Sequence, residues 1–227
     1  MKITYLNHSG FVLELDNTIL IFDYYRGELP TLPGEKKIYV FSSHDHPDHF
    51  QKKIFQWEKE YDSVTYILSD DINAEGKAED IVSVGPGQEI SKAGLHITTF
   101  NSTDEGTAFL VRAEGKTIYH AGDLNWWHWE EESPEYNEMM KKNYQHEIDK
   151  MEGQKIDVAF VPLDPRQEKQ YYWGMDYFMK HTDTKCVFPM HMWDMYEVYE
   201  WLMANEEAAG YRDRVMHITE DGQTFEI

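Results

Sequence analysis

Short apolar runs alternate with turn residues through the first half of the chain. The first four runs are KITYL, FVLEL, TILIF and KIYVF, and they are followed by VTYIL, DIVSV, LHITTF, TAFLVRA and KTIYHA. The runs are rich in β-branched or aromatic residues and are separated by Gly, Pro, Asn or Asp, a pattern typical of β-strands. Glu114-Gly115 stands between the last two runs and predicts a hairpin turn.

The second half of the chain changes to a helical pattern. The segment SPEYNEMMKKNYQHEIDKME has Ser133 in the position of an N-cap, Pro134 at the first helical position and Glu135 in the first turn. These residues predict that a helix begins here. Two further helices are predicted in YYWGMDYFMKH and DMYEVYEWLMANEEAA, and Gly210 follows the second as a stop signal.

Strands are predicted between and after these helices. DVAFVPL and CVFPMH have the composition of buried strands, and RVMHIT and QTFEI predict a terminal strand pair. Strands first, and then alternating strands and helices, predict helices packed on the outside of sheets. The chain has no internal repeat and no linker, so its 227 residues predict one domain over 1–227.

Composition and charge narrow the class of protein. A single cysteine, Cys186, excludes an internal disulfide framework. Neither a signal peptide nor a run of ~20 apolar residues is recognisable, so we expect a soluble, cytoplasmic protein with no membrane partner. Asp and Glu total 42 against 21 Lys and Arg, a formal charge of −21. This charge argues against a nucleic-acid partner and would attract cations, although solubility alone also explains it.

The loop SSHDHPDHF carries the strongest chemical signal. It follows the predicted strand KIYVF and contains the pattern H-x-H-x-D-H. In an extended segment His44 and His46 point to the same side, and Pro47 restricts the backbone that leads to Asp48 and His49. Neutral imidazoles and a carboxylate are ligands that suit zinc, iron or manganese. The loop therefore predicts a metal site.

This motif resembles the signature of the metallo-β-lactamase fold superfamily, a set of mostly hydrolytic metalloenzymes. Other stretches resemble the family's remaining motifs: Asp23 in ILIFDYY, where an Asp supports the metal loop, Asp123 in TIYHAGD and His191 in VFPMHMW. The opening ITYLNHSGFVLEL resembles the branch that includes the ascorbate-6-phosphate lactonase, in which a Gly often replaces Asn7. The resemblance covers essentially the whole chain.

The resemblance implies a four-layer αββα sandwich of the α/β (α+β) class that holds two divalent metal ions, zinc or alternatively manganese or iron. It implies these ligands: His44 and His46 for the first ion, Asp48, His49 and His191 for the second, and Asp123 for both. Two such ions share a hydroxide and polarise a carbonyl or phosphoryl oxygen. Asp48 would orient that hydroxide and accept its proton, which makes it the catalytic residue.

One departure from the family concerns the first ion. The family supplies a further His from the segment that reads TTFNSTDEGTAFLV here, and this stretch has no histidine. Asp104 is the best substitute, with Glu105 and Asn101 behind it. A carboxylate at this position favours harder metals such as manganese or iron. Alternatively, the first site is weak and the centre holds one ion. We expect His96, in a predicted strand, to be structural.

For several other residues the sequence allows two interpretations of their role. His8 in LNHSG either approaches the metal site or caps a turn, and His120 either supports the site or packs in the core. LNWWHWEEE either lines an apolar substrate pocket or packs the next helix against the sheet. Arg166 either binds a substrate carboxylate or phosphate or forms a surface ion pair.

The leading functional hypothesis is a metal-dependent hydrolase that uses a metal-bound hydroxide on a small-molecule ester, lactone or phosphoester. One alternative is an iron-dependent redox enzyme on the same fold, which fits the missing His. Another is a non-catalytic scaffold stabilised by metal. The substrate and the oligomeric state do not follow from the residues.

Overall fold

The computed structural model describes residues 1–76 and 78–227, and strands dominate this part of the chain. In chain order, the strands and α-helices are β1 (Lys2–Asn7), β2 (Gly10–Glu14), β3 (Thr18–Phe22), β4 (Lys37–Ser42), β5 (Val64–Ser69), β6 (Ile81–Val84), β7 (Glu89–Lys92), β8 (Leu95–Asn101), β9 (Thr107–Ala113), β10 (Lys116–His120), α1 (Pro134–Asp149), β11 (Lys155–Ile156), β12 (Val158–Pro162), α2 (Trp173–His181), β13 (Asp183–Thr184), β14 (Val187–Met190), α3 (Val198–Ala204) and β15 (Thr224–Glu226). Short 3₁₀ helices cover Lys52–Lys59, Pro165–Gln170, Glu206–Gly210 and Arg212–Arg214.

The strands form two large sheets. The first has the order β15-β1-β2-β3-β4-β5-β6 and the second the order β14-β12-β10-β9-β8-β7. In the first sheet β3 to β6 run parallel, and in the second β10, β12 and β14 run parallel. Parallel neighbours end at the same edge, so each sheet presents a row of loops there.

The main core lies between the two sheets. Phe11 of β2 and Phe22 of β3 face Phe160 of β12, with ring centroids 4.2 and 5.8 Å apart. On β10, His120 stacks against Phe22 of the first sheet, while the preceding Tyr119 stacks on Phe178 of α2. Alternate residues of one strand therefore contact the other sheet and the helical layer.

The outer layers differ in kind. α1 and α2 cover the second sheet, and Ile148 and Phe178 are fully buried there. Outside the first sheet, the alternate residues Ile19 and Ile21 cluster with Ile54 of the 3₁₀ helix. Burial on both faces explains why these strands read as continuous apolar runs. The arrangement confirms the predicted sandwich, with a 3₁₀ helix in one outer layer.

Two local predictions are confirmed. β9 and β10 form the hairpin, and its turn residues Glu114 and Gly115 have φ of 49° and 73°, as a two-residue turn requires. α1 begins at Pro134, and the Ser133 side chain accepts a hydrogen bond from the backbone N–H of Tyr136.

Two predictions for the C-terminal region are wrong. The last helix covers only Val198–Ala204, because Asn205 is extended and its side chain caps the 3₁₀ helix that follows. RVMHIT and QTFEI do not pair with each other. Val215 bridges to Val187 of β14, while β15 pairs with β1. Each segment pairs with the edge strand of a different sheet, and both edge strands, β1 and β14, are distant from these segments in the sequence.

Among the described helices, none combines the length and the apolar character that crossing a bilayer needs.

Candidate metal centre

The predicted ligands converge at one edge of the sandwich. Asp23 follows β3, and the H-x-H-x-D-H loop follows its parallel neighbour β4. In the second sheet, Asp123, Asp164 and His191 follow the ends of the parallel strands β10, β12 and β14. The strand ends of both sheets thus supply one site.

Asp23 anchors the metal loop. Its buried carboxylate accepts hydrogen bonds of 2.7 Å from the backbone N–H and from Oγ of Ser43, and His49 Nδ1 lies 2.7 Å from Oδ2. Burial acts to raise the pKa of Asp23, but the histidines and Ser43 outweigh it and the pKa is lowered. The carboxylate is therefore charged and fixes both ends of the H-x-H-x-D-H segment.

Two glycines leave the space that this loop occupies. Gly106 has φ of +69°, and a Cβ there would overlap the Ser43 carbonyl oxygen. Gly122 has φ of +52°, and a Cβ there would lie 2.7 Å from Ser43 Cβ. The backbone N–H of Thr107 also donates to the Ser43 carbonyl, at 3.0 Å. The loop is thus packed against the second sheet at positions where only glycine fits.

The first cluster of ligand atoms, which we call the open group, consists of His44, His46 and Asp123, with ligand atoms within 4.8 Å of one another. His44 Nε2 lies 2.9 Å from His46 Nδ1 and 3.7 Å from Asp123 Oδ2. His44 is fully buried, whereas the His46 side chain is 42% exposed. Solvent therefore reaches the group from the His46 side.

The second cluster, the closed group, consists of His8, Asp48, His49 and His191, again within 4.8 Å. The three histidines are buried. Nε2 of His49 and Nε2 of His191 lie 3.1 and 3.4 Å from Asp123 Oδ1. Since the other oxygen of Asp123 faces His44, this carboxylate stands between the two groups.

Buried carboxylates orient two of these imidazoles. His49 Nδ1 lies 2.7 Å from Asp23 Oδ2, and His191 Nδ1 lies 2.8 Å from Asp164 Oδ2. A carboxylate at Nδ1 fixes the tautomer and directs the Nε2 lone pair to the opposite side of the ring. Both Nε2 atoms consequently point into the space around Asp123.

Four buried polar atoms in this space form no hydrogen bond of normal geometry within the described residues: Nε2 of His8, His49 and His191, and Oδ1 of Asp123. The 3.1 and 3.4 Å separations of His49 and His191 from Asp123 are close contacts of charged groups without that geometry. Each unsatisfied buried group costs roughly 1–3 kcal/mol. Ligands about 2.1 Å from one zinc ion at tetrahedral angles stand about 3.4 Å apart, close to the separations found here. Because a cation would satisfy all four atoms, the residues fit a metal centre.

The electrostatics favour a cation at the same place. Burial acts to raise the pKa of Asp123, but His49 and His191 hold it well below its usual value. Burial acts to lower the pKa of His49 and His191, but Asp123 raises both. In contrast, burial lowers the pKa of His8 to about 2. His8 is therefore a neutral imidazole with a free lone pair.

Three site residues have strained backbones. His8, Asp23 and His191 have φ of 55°, 43° and 64°, in the left-handed region that non-glycine residues rarely adopt. Such conformations cost about 1–3 kcal/mol each and cluster at functional sites.

Two acidic residues of the segment that lacks the family's His, Asp104 and Glu105, lie near the metal centre. Asp104 belongs to neither group, although it lines a cavity with Asp123. Burial and the Asp123 charge raise the pKa of Asp104. Glu105 also belongs to neither group, and its Oε2 lies 3.5 Å from His46 Nε2, whereas His46 Nδ1 is the nitrogen near His44. Asp104 as a ligand stays a prediction.

His120 and His96 lie outside both groups. His120 Nε2 donates to the carbonyl of Ser9 at 2.9 Å, and Nδ1 accepts from the Gly122 N–H at 3.1 Å. With both nitrogens satisfied, His120 connects β10 to the β1–β2 turn. His96 lies on β8, and its Nδ1 lies 3.3 Å from Ser91 Oγ.

Asp164 is the functional residue that sequence reasoning missed. Besides His191, its buried carboxylate binds Arg166 through Nε and Nη2. The available signal was an Asp directly after the buried strand DVAFVPL, as Asp23 follows TILIF. Arg166 forms an ion pair, but with this buried carboxylate rather than at the surface as predicted, and it also lies over the ring of Trp193, at 4.4 Å.

A cavity of about 220 Å³ opens beside the centre. It is lined by Asp104, Asp123, Trp127, Trp129, Tyr136, Met140, Arg166 and His191. Trp127 and Trp129 face this cavity, whereas Trp126 and His128 line another one. The segment after Asp123 therefore directs alternate residues to two different cavities, and a substrate-binding role for its aromatic side chains stays a prediction.

Comparison with known proteins agrees with the fold and the site. The family model of the beta-lactamase superfamily domain matches residues 2–139, so the chain belongs to this superfamily. Igni18, a metallo hydrolase from Ignicoccus hospitalis, covers 100% of this chain and 98% of its own with a TM-score of 0.66 at 19% identity. The metallo-β-lactamase fold is confirmed, while the lactonase branch stays a prediction.

The curated relatives are named metal-dependent hydrolases. A UPF0173 metal-dependent hydrolase from Opitutus terrae is 30% identical over 144 residues, 54% of this chain and 63% of that protein. Another from Nanoarchaeum equitans is 28% identical over 84% of this chain and 83% of its own. The match to the Opitutus protein thus spans less than two thirds of that relative.

Proposed function

We propose that the protein is a metal-dependent hydrolase with two divalent ions, zinc in the first instance, acting on a small-molecule ester, lactone or phosphoester. The observation that carries this proposal is the set of four unsatisfied buried atoms around Asp123. The names of the relatives support the same class.

Different residues of the chain would bind the metal ions and accept the proton. Asp123 faces both groups and would bind both ions, with His44 and His46 holding one and Asp48, His49 and His191 the other. The ions would polarise the scissile carbonyl or phosphoryl group and ionise water near neutral pH. Asp48, 25% exposed, is the carboxylate of the closed group that solvent reaches. It would accept the proton of the attacking water.

The cavity beside Asp123 would hold the substrate. Arg166 uses Nε and Nη2 on Asp164, and its Nη1 makes no hydrogen bond within the described residues. It lies between Trp193 and Trp129, with its Cζ 4.4 and 5.6 Å from their ring centroids. A cation held on aromatic rings beside a metal centre would bind a substrate carboxylate or phosphate.

The experiment is metal analysis followed by a hydrolysis screen. Protein purified without chelators should contain about two zinc ions per chain and should hydrolyse members of a panel of lactones, carboxylic esters and phosphoesters. Chelation should abolish turnover, and added zinc should restore it. Metal-loaded protein that hydrolyses no member of the panel would contradict the proposal.

For a confirmed anionic substrate, Arg166→Gln should raise KM by roughly 10–100-fold, the value of a charge-assisted hydrogen bond. Lys141→Gln is the control, because Lys141 lies over Trp126 at the other cavity. Equal KM values for the parent and Arg166→Gln would exclude the anionic anchor.

An iron-dependent redox enzyme is the second candidate. Glu105 at His46 and the nearby Asp104 give the open group a more anionic surrounding than a third imidazole would. Carboxylates favour harder metals such as iron and manganese. Iron content together with oxygen consumption would favour this candidate, and zinc content with hydrolysis would exclude it.

A further inference from the structure

We infer that His8 is a ligand of the metal ion in the closed group, so that this ion takes three histidines while the open group provides two. In the superfamily pattern, the residues matched here as Asp48, His49 and His191 serve that ion without such a histidine. The inference rests on the metal centre of the proposed function and is independent of the hydrolytic reaction.

The position of Nε2 is the first argument. His8 is 4% exposed, and its Nε2 makes no hydrogen bond within residues 1–76 and 78–227. Nε2 lies 3.4 Å from Asp48 Oδ2, a separation expected of two ligands on one zinc ion. The His8 ring centroid lies 4.1 Å from that of His191 and 5.4 Å from that of His49. The three imidazoles therefore converge.

The backbone holds His8 in this place. The β1–β2 turn gives it φ of 55°, and its carbonyl accepts the N–H of His191 at 3.1 Å. Before it, the Asn7 amide donates to Asp221 at 2.9 Å. Gly10 follows, and a Cβ there would lie 3.0 Å from the Asn7 carbonyl oxygen. The turn is thus fixed by contacts with the His191 loop and with the C-terminal segment.

Two other roles for His8 predict different contacts. A histidine that only packs in the core has both nitrogens satisfied, as His120 does. A histidine that only positions Asp48 donates a hydrogen bond to it, but the 3.4 Å contact does not form one and Nε2 stays unsatisfied. The unsatisfied nitrogen and the convergence with His49 and His191 favour direct ligation.

The consequence is a centre with two unequal sites. The closed group supplies four protein ligands, three of them imidazoles, in addition to Asp123. The open group supplies His44, His46 and Asp123. Imidazole and carboxylate donors that are already positioned bind a cation more tightly than a site completed by solvent. The closed group should therefore fill first and exchange more slowly.

The test is cobalt(II) binding to His8→Ala and His8→Gln, measured by visible absorption and equilibrium dialysis without substrate. The parent should bind two cobalt ions in two steps of different affinity. Both variants should weaken the tighter step by more than the roughly 10–100-fold that follows loss of an outer hydrogen bond. They should also change the d–d absorption bands of that step, while the weaker step keeps its bands.

His96→Ala is the control, since His96 lies on β8 outside both groups. If His8→Gln restored the parent affinity and spectrum, His8 would be a positioning residue for Asp48 and the inference would be wrong. Unchanged bands in both variants would also overturn it. A parent protein that binds no cobalt would contradict the proposed function itself, which separates the two failures.

Discussion

The open and closed groups share Asp123 but differ in how the fold encloses them. The closed group draws its ligands from the β1–β2 turn, the metal loop and the end of β14, and its histidines are buried. The open group has one buried histidine, His44, while the His46 side chain is 42% exposed and faces an exposed Glu105. Enclosure from three chain segments makes one site rigid, and a solvent-facing edge leaves the other accessible.

The two groups also differ in how firmly their imidazoles are held. His49 is held by the buried Asp23, and His191 by the buried Asp164. His46 has only the exposed Glu105 beside its Nε2. Imidazoles held by buried carboxylates lose little entropy when a cation binds, whereas an exposed ligand leaves room for exchange of water and substrate.

The largest effect is expected for Asp123→Asn, because the two carboxylate oxygens of Asp123 face the open and the closed group. The variant should lose both metal ions and reduce turnover by roughly 10³-fold or more, since the stabilisation at a metal centre is worth several kcal/mol. Metal content and kcat/KM measure this. Asp62→Asn, exposed just before β5, is the control, and retention of two ions by Asp123→Asn would exclude the shared carboxylate.

Gly106→Ala should disturb the loop that carries the open group. The added Cβ would overlap Ser43, so unfolding free energy should fall by about 1–3 kcal/mol. Gly87→Ala has a similar φ of +71° but meets nothing within 4 Å, so it isolates the backbone strain. Urea denaturation of both variants gives the difference, and equal losses would show that contact with Ser43 is unimportant.

Proton binding should distinguish the metal-free from the loaded protein. Asp123 raises the pKa of His49 and of His191. Their contribution to stability is therefore complete below the unfolded pKa of about 6.5 and is lost as pH rises through the folded values. Asp123 itself, with a lowered pKa, stays ionised throughout this range.

Metal must displace these protons, so zinc affinity should increase about tenfold per pH unit for each proton released. Above about pH 6.5, thermal unfolding of metal-free protein should show a Tm that falls as pH rises, and zinc should reverse this trend. Below that pH the lowered pKa of His8 acts in the opposite direction. Calorimetry in buffers of different ionisation enthalpy counts the protons. Zinc binding without proton release would contradict the raised pKa values.

The smallest effect is expected for Glu105→Gln. Glu105 is exposed and lies 3.5 Å from His46 Nε2, where an exposed ion pair is worth about 0–1 kcal/mol. Metal affinity of the open group should fall less than tenfold, while the closed group should not change. The same cobalt titration measures it, with Glu131→Gln as a surface control. A loss of the open-group metal would make Glu105 a ligand.

Local patterns predicted most of the fold. The first-half strands, the Glu114-Gly115 hairpin and the start of α1 at Pro134 follow from period, turn chemistry and capping over a few residues. The errors lie near the C-terminus. There the strand edges of β1 and β14, rather than local propensity, decided where Thr224–Glu226 and Val215 went.

The chemistry of the metal loop could be predicted from the sequence alone, because His44, His46, Asp48 and His49 lie within six consecutive residues and are all metal-ligand types. The tertiary structure decided which residues join them. His8 and Asp164 reach His191 through contacts between loops of different strands. Such contacts depend on how the two sheets pack against each other, so the short-range pattern of the sequence does not predict them.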